Sequence, residues 1–426
     1  MNLTDSVFLR EFRDNWSVLA AAFMCLLFAF SAPAFMLPFL YVPIIEEFGW
    51  SREEVTLLAT AKYAAGAVAA IVIGRLVDVI GVRVGLIALS VLGALAMVGF
   101  LWIPGQAAYY LIGVLLGVSG TGIIVASKVL VSRCFHASQG TAMAIAMLGT
   151  ALGSVVTPLL TVPLIAAYGW RAAAAILSAG TWLVALPLLV FCVREATFDT
   201  PAKGHRVAPA ISWKLVRHLA GQRRFWLIAV AVFSAAVVDQ AFIQHQVLYL
   251  ELDLGLTPAY VAAGISAMGL VGIVARVFVG GVFDRLSSRG VSVMYLSLAV
   301  AAVVALAAVN PVMFALFIVL RAVGHAAVLL DSTVLAKHVF GVRNLGLLLG
   351  IYTAFVAVGF SVGPWFVGRL YELSGSYVVP FVACAGLAVF AACVLLPVKP
   401  AYWLARRVGK RASKADGVGA EARGLS

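Results

Sequence analysis

The side chains in this chain best able to do chemistry are ionic groups set in apolar runs. Arg276 lies in "LVGIVARVFVGGVFDR" (270–285), with no acidic neighbour before Asp284. A guanidinium keeps its proton in any protein setting, and its planar fork of donors grips a carboxylate through two hydrogen bonds. Asp239, Gln240, Gln244 and His245 share one apolar stretch, Arg321, His325 and Asp331 another, and Lys62 and Lys128 occupy two more. A charge at mid-bilayer costs about 2.5–3.5 kcal/mol on insertion scales, so each one marks a watery cavity or a paired partner. The chemistry on offer is anion binding and proton carriage. No nucleophile elbow, P-loop or HExxH pattern occurs, so the sequence predicts no catalytic site, cofactor or metal.

The elements that must position these groups follow from composition. Of 426 residues, 63% are hydrophobic and only 11% charged, with a mean hydropathy of +1.07. A water-soluble domain could not hide so much apolar surface. Twelve apolar stretches reach the roughly 20 residues that cross a bilayer core. The basic residues orient them: with the N-terminus inside, 23 of the 30 Lys and Arg fall on the cytoplasmic side, and only Arg52, Arg171 and Arg369 on the other. Both termini are then cytoplasmic, in a membrane of the bacterial inner type. The net charge of +12 reads as topology and contact with anionic lipid, not as nucleic-acid binding. The five cysteines are scattered without metal or disulfide spacing.

A shift of 206 residues superposes Gly49 on Gly255, Gly74 on Gly280, Asp78 on Asp284, Gly140 on Gly346, Gly153 on Gly359, Pro158 on Pro364 and Gly169 on Gly375. The expected architecture is all-α: twelve transmembrane helices in two six-helix bundles related by a pseudo-twofold axis along the membrane normal. The bundles span 1–193 and 225–398. Between them, 194–224 reads as a cytoplasmic linker whose "ISWKLVRHLAGQRRFW" forms an amphipathic surface helix. Residues 399–426 read as a disordered basic tail.

These features resemble the major facilitator superfamily. "GRLVDVIGVR" (74–83) and its repeat "GGVFDRLSSR" (280–289) look like that family's loop signature, in which Asp78, Asp284 and Arg285 would lock helix ends as a gating device. The first copy departs from the pattern at Val79. "EFGWSREEV" (47–55), "RCFHASQGTAMAIAMLGTALG" (133–153), "AYGWRAA" (167–173) and "VARVFVGG" (274–281) resemble the monocarboxylate transporter and oxalate/formate antiporter branch. The resemblance implies carriage of small organic anions, often with a proton. It makes Arg276 the carboxylate-binding residue, where the bland alternative is a structural arginine tied to a neighbouring helix. Gly272 stands where relatives often place an acid, four residues before that arginine.

In such an arrangement helices 1, 4, 7 and 10 line the cavity. Tyr41, Gln244, His245 and Arg321 are further candidate substrate contacts. Arg321 is equally a candidate counter-ion for Asp239, the group expected to couple a proton. His245 has a packing alternative, as has His325. Lys62 either snorkels or attracts anions. Lys128 and Asp331, at similar depth on helices 4 and 10, are candidates for an inner gate that closes when the transporter faces outward, or else each snorkels separately. The expectation is a monomeric secondary transporter taking up a small organic acid with a proton. An exporter of amphiphiles and a non-transporting membrane sensor of anions are the alternatives.

Overall fold

The computed structural model of the protein describes residues 3–136, 138–193, 213–341 and 345–398. Every regular element within them is helical. Helix α1 runs through Leu3–Met24, a π-helical stretch Cys25–Ser31, and Ala32–Phe48. Then come α2 (Arg52–Ile80), α3 (Val82–Gly99) and α4 (Gln106–Cys134). The run Gln139–Gly180 breaks at Gly169, where φ is 76°, and so makes two helices, α5 (139–168) and α6 (170–192). A short helix, Trp213–Ala220, precedes α7, which comprises Arg223–Leu248 and a π-helical end Tyr249–Asp253. The remainder are α8 (Pro258–Leu286), α9 (Ser288–Ala305), α10 (Pro311–Phe340), α11 (Leu345–Ser374) and α12 (Val378–Leu395). Among the described residues, eleven continuous segments are long and apolar enough to cross a membrane, and the longest holds both α5 and α6. The chain is a multi-pass all-α membrane protein of twelve spans. Residues 194–212 of the expected linker, Arg343 and the tail from 399 lie outside the described residues.

Local chemistry explains the helix boundaries. Ser51 and Glu54 form a reciprocal capping box at the start of α2. Thr257 and Asn310 cap α8 and α10, each followed by a proline at the first helical position. In α1, Pro33 stands near the start of the Ala32–Phe48 stretch and Pro38 inside it. The helix widens into the π-helical stretch just before Pro33, where the Ser31 hydroxyl donates to the Leu26 carbonyl at 2.8 Å.

The repeat has a physical basis. Gly49 and Gly255, and Gly169 and Gly375, end or interrupt their helices at φ 67°, 66°, 76° and 67°, a region costly for other residues. Gly81 has φ 89°, and its partner under the shift, Ser287, is the one non-glycine residue with positive φ among those described. A Cβ on Gly153 would come within 2.2 Å of Ser31 on α1, and one on Gly359 within 2.7 Å of the Phe233 carbonyl on α7. Equivalent helices therefore approach each other at equivalent points.

The two halves meet along α2 with α11, α5 with α8, and α1 with α7. Polar contacts join them in the part of the molecule away from the termini. Arg52 pairs with Asp253 while its guanidinium lies 4.2 Å over the Tyr371 ring and 5.2 Å from that of Tyr377. Arg369 lies 3.5 Å from Glu53, the Tyr41 hydroxyl donates to Gln244 at 2.6 Å, and Ser361 donates to the Thr60 carbonyl at 3.1 Å. That end is closed.

Candidate functional site

Helical periodicity brings the site together. On α7, Ile243 and Gln246 stand four and seven residues after Asp239, hence on one face. On α10, Arg321 and His325 are one turn apart. On α8, Ile265, Met268, Gly269, Gly272 and Arg276 recur at helical spacing. Except for Asp239, these residues line one cavity, together with Phe35, Pro38 and Phe39 of α1 and Ser154 of α5. No lining residue of this cavity comes from α4, which the sequence reading placed there; α5 and α8 take that position.

At one wall, Asp239 is fully buried and held from α10. Arg321 Nη1 donates to its Oδ1 at 2.6 Å, and Nη2 donates to its backbone carbonyl at 2.6 Å. His325 Nδ1 lies 3.0 Å from Oδ2. Arg321 is 1% exposed and its Nε has no hydrogen-bond partner. Two ions this deep persist only because each neutralises the other.

Arg276 differs. Its side chain lines the same cavity, it forms no ion pair among the described residues, and its Nε is buried without a partner among them. It is not tied to a neighbouring helix, and Asp284, two turns on, is exposed. The cavity therefore presents one neutralised guanidinium and one free one.

The family model for the Major Facilitator Superfamily matches residues 19–327. The chain belongs to that superfamily. Two crystal structures of a bacterial homologue of the human lysosomal transporter Spinster, both inward-facing, share its fold. The unoccupied one has a TM-score of 0.73 at 17% identity, covering 90% of this chain and 98% of the other. The occupied one has a TM-score of 0.71 at 17% identity, covering 90% and 96%. No curated protein matches the chain.

Other expected site residues of this facilitator fall elsewhere. Tyr41 and Gln244 bond to each other across the halves. His245 faces away from the cavity: its Nε2 lies 2.8 Å from the Pro364 carbonyl and its Nδ1 3.0 Å from the Tyr377 hydroxyl. A ring with its proton on Nε2 satisfies both, which is the packing alternative. Lys128 and Asp331 are not brought together. Lys128 is exposed, while Asp331 is buried and accepts from Tyr295 at 2.5 Å and from the Ser332 hydroxyl at 2.8 Å. Asp331 thus does not snorkel. Neither does Lys62, whose ammonium is buried without a hydrogen bond, 5.2 Å from the Tyr63 ring. Asp284 and Arg285 are exposed and form no ion pair among the described residues; the side chain of Asp78 lies outside them.

Sequence reasoning did not single out Phe35, Phe39 or Gln246. The signal was present: Phe35 and Phe39 are one turn apart, and Gln246 shares the face of Asp239, whereas His245 is offset from it by about a third of a turn.

Proposed function

We propose that this facilitator takes up a small organic anion of the monocarboxylate type together with a proton, by alternating access. The observation that carries the reading is Arg276, a guanidinium unpaired among the described residues on the wall of a cavity between the halves. Such a cation favours an anionic ligand, and a carboxylate matches its fork of donors. Asp239 is the proton-coupling group: it faces Arg321 and His325, and protonating it would remove the charge that holds both. Arg321 is then its counter-ion in the empty site and a second anion contact once released.

The basic residues favour cytoplasmic termini in a bacterial-type inner membrane, with the linker and tail on the same side as the termini. On that orientation the closed end is external and the present state faces inward. Lys128, Asp331, Asp78, Asp284 and Arg285 would act in the opposite state, closing the cytoplasmic end. The protein works as a monomer, since each chain holds a whole cavity, and belongs to the monocarboxylate transporter and oxalate/formate antiporter branch.

The test is uptake into liposomes containing the purified protein, using labelled carboxylates and an imposed pH gradient. Accumulation of a carboxylate that collapses with the gradient supports the reading; uptake of neutral or cationic amphiphiles instead, indifferent to acids, would favour an amphiphile exporter.

A further inference from the structure

We propose that the cavity selects a monocarboxylate with a bulky, ring-bearing apolar body, its head at Arg276 and its body against Phe35 and Phe39. The inference rests on the anion-binding reading of Arg276 and adds the rest of the ligand.

Charge sets the head. Arg321 is matched by Asp239, so of the two arginines that line the cavity Arg276 is the one without a counter-charge among the described residues. Its own helix supplies no acid one turn earlier: the position is Gly272, where a Cβ would meet nothing within 4 Å. The cavity wall that Arg276 shares with Gly272 is therefore open at that position. While Asp239 is ionised and holds Arg321, a ligand with a second carboxylate would have to leave that charge among hydrocarbon or beside Asp239, and burying an unpaired charge is strongly unfavourable.

Apolar surface sets the body. Across the cavity, Phe35 is half-buried and Phe39 buried one turn further along α1, with Ile243, Ile265 and Met268 completing the wall. A two- or three-carbon acid satisfies Arg276 but leaves this wall wetted. A ring or a branched chain removes it from water, and aromatic faces add stacking to that gain.

The experiment is competition for labelled phenylacetate binding to the purified full-length protein, with acetate, succinate, phenylacetate and phenylacetamide as competitors. Unlabelled phenylacetate is expected to compete at least ten-fold better than acetate or succinate, and the neutral amide at least ten-fold worse than its acid. Phe35→Ala is expected to narrow the gap between phenylacetate and acetate several-fold, and the wild-type ligand series stands as the test should that variant not fold. Acetate or succinate competing as well as phenylacetate, or no phenylacetate binding at all, would overturn the class. Acid and amide competing equally would overturn the carboxylate reading of Arg276 itself, so the two failures are distinct.

Discussion

Arg321 reaches from α10 to Asp239 on α7 and binds it twice, once at the carboxylate and once at the backbone carbonyl, each at 2.6 Å. The second contact fixes the pair's geometry, because it does not depend on the rotamer of Asp239. Arg276 stands in the same cavity with no counter-charge. The division of labour proposed here follows from that asymmetry: one arginine is held by the protein, the other is left for the ligand.

Breaking the buried pair from one side leaves an uncompensated ion. Arg321→Gln alone is expected to cost about 3–5 kcal/mol of stability. Asp239→Asn combined with it should cost less than the sum of the single changes. Unfolding of the four proteins in detergent would measure this, and simple additivity would argue that the two side chains act independently.

Asp239 also carries the proposed proton. Asp239→Asn is expected to abolish accumulation driven by a pH gradient, while exchange of labelled for unlabelled substrate at equal pH continues. Gradient-driven accumulation that survives the change would remove Asp239 from the coupling.

At the closed end, Arg52 pairs with Asp253 and stacks on Tyr371 and Tyr377 of the other half. Asp253→Ala should shift the molecule toward the state open at that end. A cysteine placed at Thr60, in a chain freed of its five native cysteines, should then react roughly ten-fold faster, equivalent to about 1.4 kcal/mol. Unchanged reactivity would mean that the ion pair adds nothing to closure.

Close packing gives a prediction independent of function. A Cβ on Gly117 of α4 would lie 1.9 Å from the Lys62 carbonyl on α2, whereas one on Gly272 meets nothing within 4 Å. Gly117→Ala should destabilise the protein by about 1–3 kcal/mol through overpacking. Gly272→Ala should leave the melting temperature at or above the native value, since alanine also favours the helix.

The helices were legible because a span must satisfy its own backbone groups and therefore reads as a long apolar run with caps and breakers. The 206-residue repeat was legible because Gly153 and Gly359 lie where helices come too close for a side chain. Arg276, Arg321 and Asp239 stood out as ions in hydrocarbon. Depth along the chain, however, says nothing of rotation toward a distant partner. In the present state Asp331, at the depth of Lys128, turns to Tyr295 on α9. His245 sits beside the cavity face in sequence, yet its partners are Pro364 and Tyr377, more than a hundred residues away. Those contacts exist only once α7, α11 and α12 have packed.

The central claim is that the free guanidinium of Arg276 recognises the carboxylate. Its most direct test is binding of a labelled carboxylate to the purified protein and to folded Arg276→Gln and Arg276→Lys variants. The account predicts at least a ten-fold loss of affinity for Arg276→Gln, partial retention for Arg276→Lys, and no comparable change for the neutral amide of the same acid. Wild-type affinity in Arg276→Gln would contradict it.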